Sequence, residues 1–363
     1  YFPLGDDAFA QIITQLEKAE SFIFLEFFII REGVFWNTIL DILKRKVKEG
    51  VEVRVMYDDI GCMTTLPRNY VAYLTALGIK ARVFAKLTPF FSTHYNNRDH
   101  RKIIVIDGKA AFSGGINLAD EYINQERRFG KWKDNCFLIE GDAVRNYTLM
   151  FLQLWNTTVL PEARIYEPYM NVKSDRIPQA GDGFIIPYGD GPQSPVSVAQ
   201  SVYLNVINSA VDYIHIMTPY LVLDDEMLNA LKRAAKSGID VRILLPYIPD
   251  KKSINMIGKT YYPELLEAGI RIYEYTPGFI HSKVIEADGN IAVVGTINMD
   301  FRSLYLHYEC ASLIYANDTL KDITADFQST FADSHRITLS DYKKINILKR
   351  FTGRVLRIFA PLV

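Results

Sequence analysis

The chain reads HRKIIVID at residues 100–107 and HSKVIEAD at residues 281–288. GGIN follows the first stretch at residues 114–117, and GTIN follows the second at residues 295–298. His, Lys, Asp, Gly and Asn therefore recur at the same offsets, and two of the six His residues occupy matching positions. Because so many fixed positions do not coincide by chance, we interpret the two stretches as copies within an internal duplication.

Weaker similarity extends the duplication along the chain. Residues 50–55 read GVEVRV and residues 238–243 read GIDVRI, while LGIK at 77–80 matches AGIR at 268–271. In both copies a helical pattern ends at Gly and a short β-branched run follows, which is typical of helices that alternate with buried strands. We therefore predict two pseudo-symmetric α/β domains, each a mixed, mostly parallel sheet covered by helices, with the site at their interface.

The predicted elements have the same order in both halves. The first half is predicted to have a helix from Asp7, a strand from Phe22 to Ile30, a helix from Trp36 and a strand from Val51 to Tyr57. The second is predicted to have a helix from Ser197, a strand from Tyr213 to Met217, a helix from Asp225 and a strand from Val241 to Leu245. A stretch rich in Pro, Gly and Asp around residues 177–195 is the predicted junction. We place the domains at residues 1–165 and 166–340, followed by a C-terminal tail at residues 341–363.

The motif spacing predicts a site for one small anion. Residues two apart on a strand project from the same face, so His100 with Lys102, and His281 with Lys283, can each touch the same group. Two such units that face each other would surround one phosphate with two imidazoles and two ammonium groups. The motif contains no cluster of carboxylates of the kind that binds a hard metal ion.

Each motif residue also has a structural interpretation. The Asp-Gly pairs at 107–108 and 288–289 predict hairpins, and such a turn alone accounts for Asp107 and Asp288 as supports of the site. Asn117 and Asn298 suit the first position of a helix as well as a phosphate pocket. A single His or Lys on a strand is often structural, and it is the duplicated set of residues that indicates chemistry. Three glycines are expected to let the backbone approach the substrate closely: Gly114, Gly115 and Gly295.

Composition limits the class of protein. Apolar residues make up 49% and charged residues 23% of the 363 positions, as in a globular protein. The formal net charge of −1 gives no basic field for nucleic acid. The three Cys residues lack the spacing of a metal site, and no apolar run reaches the roughly 20 residues of a transmembrane helix. Since the chain begins at Tyr1 within a helical pattern, we expect an upstream part, of membrane-inserting kind, in a longer protein.

The duplicated motif resembles the H-x-K-x4-D-x6-G-x-x-N signature of the phospholipase D superfamily. Flanking segments are similar to bacterial cardiolipin synthases over nearly the whole chain. In the first half these segments are Val53-Arg54 leading to Asp58, and Glu121-Tyr122 after GGIN. In the second half they are TPY at 218–220, LEAG at 266–269, GTINMDFRS at 295–303 and RIFAPLV at 357–363.

This resemblance implies phosphatidyl transfer in two steps through a phosphohistidine, with no cofactor and no metal. It implies His100 as nucleophile and His281 as general acid/base, although the sequence itself is symmetric and does not decide between them. The remaining site residues that it implies are Lys102, Lys283, Asn117 and Asn298 around the phosphate, Asp107 and Asp288 in the catalytic motif, and Asp134 and Glu309 to orient the imidazoles. The last two are equally interpretable as strand-edge carboxylates, and the chain departs from the family in having His307 where Asn is more common.

The resemblance further implies that phosphatidylglycerol is both donor and acceptor. It also implies a location at a bacterial cell membrane, with the catalytic region on the cytoplasmic side. Two aromatic clusters are candidates for the acyl-chain or headgroup entrance, or else for core packing: Pro89-Phe90-Phe91 with Tyr95, and Tyr261-Tyr262 with Phe279. The tail has no acidic residue after Asp341 and repeats apolar residues at helical spacing. This basic amphipathic pattern favours an anionic membrane surface, although Gly353 weakens the helix, and docking on the protein's own core is the alternative.

Three other functions remain at this stage. A hydrolytic lipase would use the same intermediate with water as acceptor. A nuclease or general phosphodiesterase would need a basic groove, which the balanced charge does not favour, and we expect no nucleic-acid partner. A non-catalytic membrane-binding protein is disfavoured because both motifs are intact.

Overall fold

Two β-sheets form the framework of the protein, a computed structural model that describes residues 1–86, 96–157, 165–172 and 179–360. The elements up to residue 172 are α1 (Gly5–Glu17), β1 (Phe22–Phe27), α2 (Val34–Lys48), β2 (Glu52–Asp58), α3 (Asp59–Cys62), α4 (Tyr70–Ala76), β3 (Lys80–Phe84), β4 (Ile103–Ile106), β5 (Ala110–Gly114), a 3-10 helix (Asp120–Ile123), β6 (Lys131–Lys133), β7 (Cys136–Glu140), α5 (Val144–Thr157) and α6 (Glu167–Met170).

The elements that follow repeat much of this order. They are β8 (Phe184–Asp190), α7 (Val198–Ser209), β9 (Tyr213–Met217), α8 (Asp225–Lys236), β10 (Asp240–Pro246), α9 (Lys252–Lys259), α10 (Tyr262–Glu267), β11 (Arg271–Tyr275), β12 (Gly278–Ile280), β13 (Val284–Ala287), β14 (Ile291–Gly295), α11 (Phe301–Tyr305), β15 (Glu309–Tyr315), α12 (Thr319–Ala332), β16 (Ser334–Ile337), α13 (Leu339–Lys344) and α14 (Ile347–Ile358).

Both sheets contain the same six-strand arrangement. The first sheet has the order β3-β2-β1-β4-β5-β7, and the second has β11-β10-β9-β13-β14-β15 flanked by β16 and β8. The predicted mixed α/β fold with two related sheets is therefore confirmed. The parallel share was overestimated: among the described residues, β1-β2-β3 and β9-β10-β11 pair in parallel, and the remaining pairings within these sheets are antiparallel. Each motif hairpin supplies one of these antiparallel pairings, because it returns the chain antiparallel to itself.

The motif strands are buried on both faces, which fixes where their ends lie. Ile103 and Val105 on β4 belong to the core cluster shared by the two sheets, whereas Ile104 and Ile106 face the cluster beneath the helices of the first half. Val284 on β13 joins the same shared cluster. Successive side chains of a strand point to opposite faces, so a continuous apolar run is what a strand between two packed layers needs. The shared core holds the two motif strands in one rigid block.

The predicted strand from Phe22 to Ile30 ends earlier, at Phe27. The N–H of Ile29 donates to the Asn117 Oδ1 at 3.0 Å, and the N–H of Ile30 donates to the Cys62 Sγ at 3.2 Å. These side-chain acceptors take the place of sheet partners, so the chain leaves the sheet beside the motif asparagine. The helix predicted from Ser197 is capped by that residue, whose hydroxyl accepts from the Gln200 N–H at 3.2 Å.

Within the described ranges, no helix combines the length and apolarity needed to cross a bilayer.

Candidate active site

One cavity of about 790 Å³ brings the two motif histidines together. His100, His281, Asn117 and Asn298 all line it, although these residues come from different halves of the chain. Both imidazoles are nearly buried, with their side chains 10% and 9% exposed. The cavity therefore offers one place where a single group can contact both rings.

A carboxylate from the opposite half contacts each imidazole. The Nδ1 of His100 lies 2.9 Å and 3.0 Å from the two carboxylate oxygens of Glu309. The Nδ1 of His281 lies 2.6 Å from the Oδ2 of Asp134. The two carboxylates named by sequence reasoning are thus both in contact with motif histidines, and the pairing is crossed between the halves.

Backbone pairing between the halves creates this crossing. The His281 N–H donates to the Lys133 O at 2.7 Å, and β12 pairs in parallel with β6 just before it. The His100 N–H donates to the Tyr308 O at 2.9 Å. The backbone of each histidine is therefore hydrogen-bonded to the residue that precedes its carboxylate partner. This backbone contact sets the position of the imidazole relative to the carboxylate.

The electrostatics keep both imidazoles neutral and both carboxylates ionised. Burial, with the charge of Lys102 added, lowers the pKa of His100 to about 3. Burial, with the charge of Lys283 added, lowers the pKa of His281 to about 4. Although burial raises the pKa of each carboxyl group, the adjacent imidazoles hold the pKa of Glu309 and of Asp134 below its usual value. Because an ionised carboxylate only accepts, each Nδ1 carries the proton and each Nε2 keeps a free lone pair.

Both motif lysines lie beneath the histidines rather than at the cavity surface. Lys102 and Lys283 are each 1% exposed, and each Nζ donates to the backbone carbonyl of the histidine two residues earlier. Burial lowers the pKa of Lys102 to about 8. Burial lowers the pKa of Lys283 to about 7, and the charge of Lys102 contributes. An incoming anion would raise both pKa values, so these ammonium groups favour phosphate binding.

The asparagines lie at the cavity, and their interpretation as helix caps is wrong. The helix after Asn298 is capped by Asp300, whose carboxylate accepts from the Ser303 N–H at 2.8 Å. The 3-10 helix after Asn117 begins beyond Ala119. Asn117 instead donates from Nδ2 to the Tyr122 hydroxyl at 2.8 Å, and the Oδ1 of Asn298 is buried without a described partner. Both amides are therefore held in the cavity wall.

Asp107 and Asp288, grouped with the catalytic motif on sequence, lie at the opposite ends of β4 and β13 from the histidines. The Asp107 carboxylate accepts from the N–H groups of Glu20, Ser21 and Phe22, each at 2.8 Å. Asp288 accepts in the same way from residues 211–213 at 2.8–2.9 Å. Both have positive φ, 53° and 56°, as the Asp-Gly hairpin requires. Their geometry supports the structural interpretation.

We expect Asp107→Gly to lower the free energy of unfolding by about 2–4 kcal/mol, because three N–H groups lose an ionised acceptor while glycine keeps the positive φ. Turnover per folded molecule should stay within a few fold of wild type. Chemical denaturation with parallel activity assays measures both quantities. Asp107→Asn is the matched control and should lose less, since its amide oxygen still accepts. A stable Asp107→Gly variant without activity would contradict the structural role.

The motif glycines make room for protein rather than for substrate, which corrects the expected close approach to a ligand. A Cβ on Gly115 would lie 2.0 Å from the Oδ1 of Asp134, and one on Gly114 would lie 2.4 Å from the Asn135 O. Gly295 is likewise closed by the Cys310 O at 2.4 Å. Thr296 occupies the position equivalent to Gly115, and its hydroxyl donates to the Oε2 of Glu309. Sequence reasoning missed Thr296, although its place in GTIN aligned with Gly115 was the available signal.

The aromatic residues expected at the entrance are placed elsewhere. Tyr261 and Tyr262 are buried in the core of the second half. Phe279 is buried behind His281, with ring centroids 5.8 Å apart. Pro89, Phe90, Phe91 and Tyr95 lie outside the described residues. The rings that line the cavity are others: Phe28, Tyr122, Phe129, Trp132 and Tyr220.

One group of side chains has the composition of a metal site. His100, His307 and Glu309 each offer one ligand atom, and these atoms lie within 4.8 Å of one another. The His100 Nδ1 is already at hydrogen-bond distance from both oxygens of Glu309. The contact therefore fits a hydrogen-bonded pair in which an imidazole donates to a carboxylate.

Comparisons with known proteins show which family the chain belongs to. The profile of the family described as "Cardiolipin synthase, PLD-like domain" matches residues 12–155 and 203–331. A cardiolipin synthase of Geobacillus kaustophilus is 39% identical over 361 residues, which cover 99% of this chain and 71% of that protein. The chain belongs to the cardiolipin synthase family. It is an enzyme of the phospholipase D type.

Two further matches extend the comparison. An uncharacterized protein of Streptococcus mutans is 53% identical over 365 residues, covering 100% of this chain and 78% of that protein. The crystal structure of a phosphatidylserine synthase of Haemophilus influenzae superposes with a TM-score of 0.72 at 14% identity, covering 99% of this chain and 92% of that one. The second match shows that the two proteins share a fold.

The catalytic efficiency of the enzyme, kcat/KM, should fall as the pH rises. Since the Lys283 pKa is about 7, its ammonium deprotonates above that pH and its attraction for a phosphodiester anion is lost. We expect kcat/KM for a soluble short-chain donor to fall by roughly tenfold per pH unit above this pKa. A Lys283→Arg variant keeps its charge at this position, so its limb should move up to the pKa of Lys102, about 8, at a lower absolute rate. Identical limbs in both proteins would contradict the assignment.

Proposed function

We propose that the enzyme makes cardiolipin and glycerol from two phosphatidylglycerol molecules through a phosphohistidine. The observation that carries the proposal is the pair of neutral imidazoles in one cavity, each with an ionised carboxylate on its Nδ1. Two such rings allow one to attack phosphorus while the other transfers a proton. The relatives named cardiolipin synthase support the choice of lipid.

In the first step the Nε2 of His100 attacks the phosphorus of the donor lipid. The N–P bond forms as the P–O bond to the headgroup glycerol breaks, and the departing oxygen takes a proton from His281. His281 acquires that proton when the bound phosphodiester raises the pKa of the cavity imidazoles. Lys102, Lys283 and the asparagine amides counter the negative charge that builds on the non-bridging oxygens.

In the second step His281 is the base. It removes the proton from a glycerol hydroxyl of the second phosphatidylglycerol, whose oxygen then attacks the phosphorus. The N–P bond breaks, cardiolipin is released and His100 regains its lone pair. His281 holds this proton at the end of the step and releases it to solvent when the product leaves and its pKa falls again, so the enzyme returns to its starting state.

Unpartnered polar atoms in the cavity wall support a polyol headgroup. Asn298 Oδ1, Asp250 Oδ1 and Arg302 Nε are buried without a hydrogen-bond partner among the described residues, and all three residues line the cavity. Glycerol hydroxyls both donate and accept, so they can satisfy acceptors and donors of this kind. A headgroup without hydroxyls would leave these buried atoms unpaired.

Incubation of the enzyme with labelled phosphatidylglycerol in vesicles tests the proposal. We expect equal amounts of cardiolipin and glycerol. Phosphatidic acid as the main product would instead establish a lipid hydrolase, and cleavage of DNA without lipid turnover would establish a nuclease. The His100→Ala, His281→Ala double variant provides the background that any contaminating activity would leave unchanged.

A further inference from the structure

A second cavity, of about 660 Å³, lies between α9 and the C-terminal helices α13 and α14. Its charged lining is entirely basic within the described part of the chain: Lys252, Lys259, Lys344, Lys349 and Arg350. We call this cavity the basic groove. A concave surface with five cationic side chains suits an anionic group, and no residue of either catalytic motif lines it.

Two of these cations are available to a ligand. Lys259 pairs with Glu274 at 3.1 Å and Lys344 pairs with Asp341 at 3.0 Å. Lys252 and Lys349 have no ion pair in the described chain and are exposed. The guanidinium of Arg350 lies 5.5 Å from the Tyr342 ring, with its Nε buried and unpartnered. The groove therefore holds uncompensated positive charge.

Helix α14 is docked by one face, which leaves its apolar side outward. A Cβ on Gly353 would lie 2.6 Å from the Met256 O, so glycine here permits close contact with α9 and does not interrupt the helix. Arg357 pairs with Glu264 at 3.1 Å and covers the Tyr261 ring at 3.7 Å. The outward side exposes four large apolar residues at 64–75%: Ile347, Leu348, Phe351 and Ile358.

The basic groove adjoins both this apolar row and the catalytic cavity. Lys349 and Arg350 of α14 line the groove, and Leu348 and Phe351 flank them in the sequence. At the start of α9, Lys252 and Asn255 line the groove, whereas Lys251, Ser253 and Ile254 line the catalytic cavity. One helix thus separates the groove from the site of reaction.

We propose that the basic groove binds the headgroup phosphate of an anionic phospholipid within a bilayer while the apolar row of α14 enters the bilayer interface. Exposed apolar side chains next to uncompensated cations match the apolar and anionic layers of such a surface. The bound lipid is not the reacting one, and it holds the catalytic cavity at the membrane. The inference rests on the proposed function in assigning a membrane lipid as substrate.

Vesicle flotation tests the groove without requiring turnover. We expect Lys252→Gln, Lys349→Gln to weaken binding to vesicles of equal phosphatidylglycerol and phosphatidylcholine by about tenfold or more, because each cation near an anionic surface contributes to binding. Leu348→Ser, Phe351→Ser should weaken binding to a similar degree. Pure phosphatidylcholine vesicles should bind the wild type poorly, and raised salt should weaken binding.

A matched double variant controls for the change in net charge. Lys18→Gln, Lys48→Gln removes two exposed lysines of the first half and should float like the wild type. Turnover of a monomeric short-chain phosphatidylglycerol should be unchanged in all three variants, which shows that they fold. Equal flotation of the groove variant and the control variant would overturn the proposal. If the groove variant loses flotation while the wild type turns over no lipid, the proposed function is refuted and the groove proposal stands.

Discussion

His100→Ala should abolish lipid turnover, with kcat at least about 10⁴-fold below wild type, since the attacking lone pair is removed. His281→Ala should lose a comparable factor with phosphatidylglycerol, because the leaving glycerol then has no proton donor. A donor with a p-nitrophenol leaving group separates the two roles, since that group departs without a proton. With this donor, His281→Ala should release one equivalent of p-nitrophenol in a burst and retain a covalent phosphatidyl group.

The same burst experiment decides which histidine is the nucleophile. His100→Ala should give no burst and no labelled protein. The opposite pattern, with a burst in His100→Ala alone, would exchange the two roles. A burst in neither protein, with turnover intact in the wild type, would contradict a covalent intermediate. The contacts of the two rings with Glu309 and Asp134 are similar, so this measurement provides the distinction that geometry does not.

Glu309→Gln should lower kcat by roughly 10³–10⁴-fold, because a glutamine no longer fixes the proton on the Nδ1 of His100. Asp134→Asn should have an effect of the same order through His281. The crossed pairing predicts which carboxylate variant still gives a burst with the p-nitrophenol donor. Asp134→Asn, although in the first half, should keep the burst as His281→Ala does, and Glu309→Gln should lose it as His100→Ala does.

Two controls make this result interpretable. Glu121→Gln also changes a carboxylate that lines the cavity, but Glu121 pairs with Arg31 at 2.5 Å rather than with a histidine. It should retain most of the activity. Unfolding curves of all variants check that replacing a buried carboxylate has not destabilised the protein. A burst lost in Asp134→Asn and kept in Glu309→Gln would show that each carboxylate serves the histidine of its own half.

The confirmed predictions of secondary structure were those that depend on residues close together in the sequence. The strand from Tyr213 to Met217 has the predicted bounds, and the second-half helix begins at Asp225 as predicted. Both Asp-Gly pairs form hairpins with positive φ. Expectations that depended on distant groups were less successful. The strand from Phe22 stops at Phe27 because Asn117 and Cys62 take the next backbone donors, and neither is near in sequence.

The sequence by itself determined the duplicated motif, its residue types and the apolar strands that carry them, because these follow from spacing within a few residues. The family resemblance added Asp134 and Glu309 as candidates, which the residues alone left equally interpretable as strand-edge carboxylates. Which carboxylate meets which imidazole was decided only by the tertiary structure. His100 and Glu309 are 209 residues apart, and His281 and Asp134 are 147 apart. Their pairing depends on backbone contacts between the halves, and strand spacing alone carries no information about such contacts.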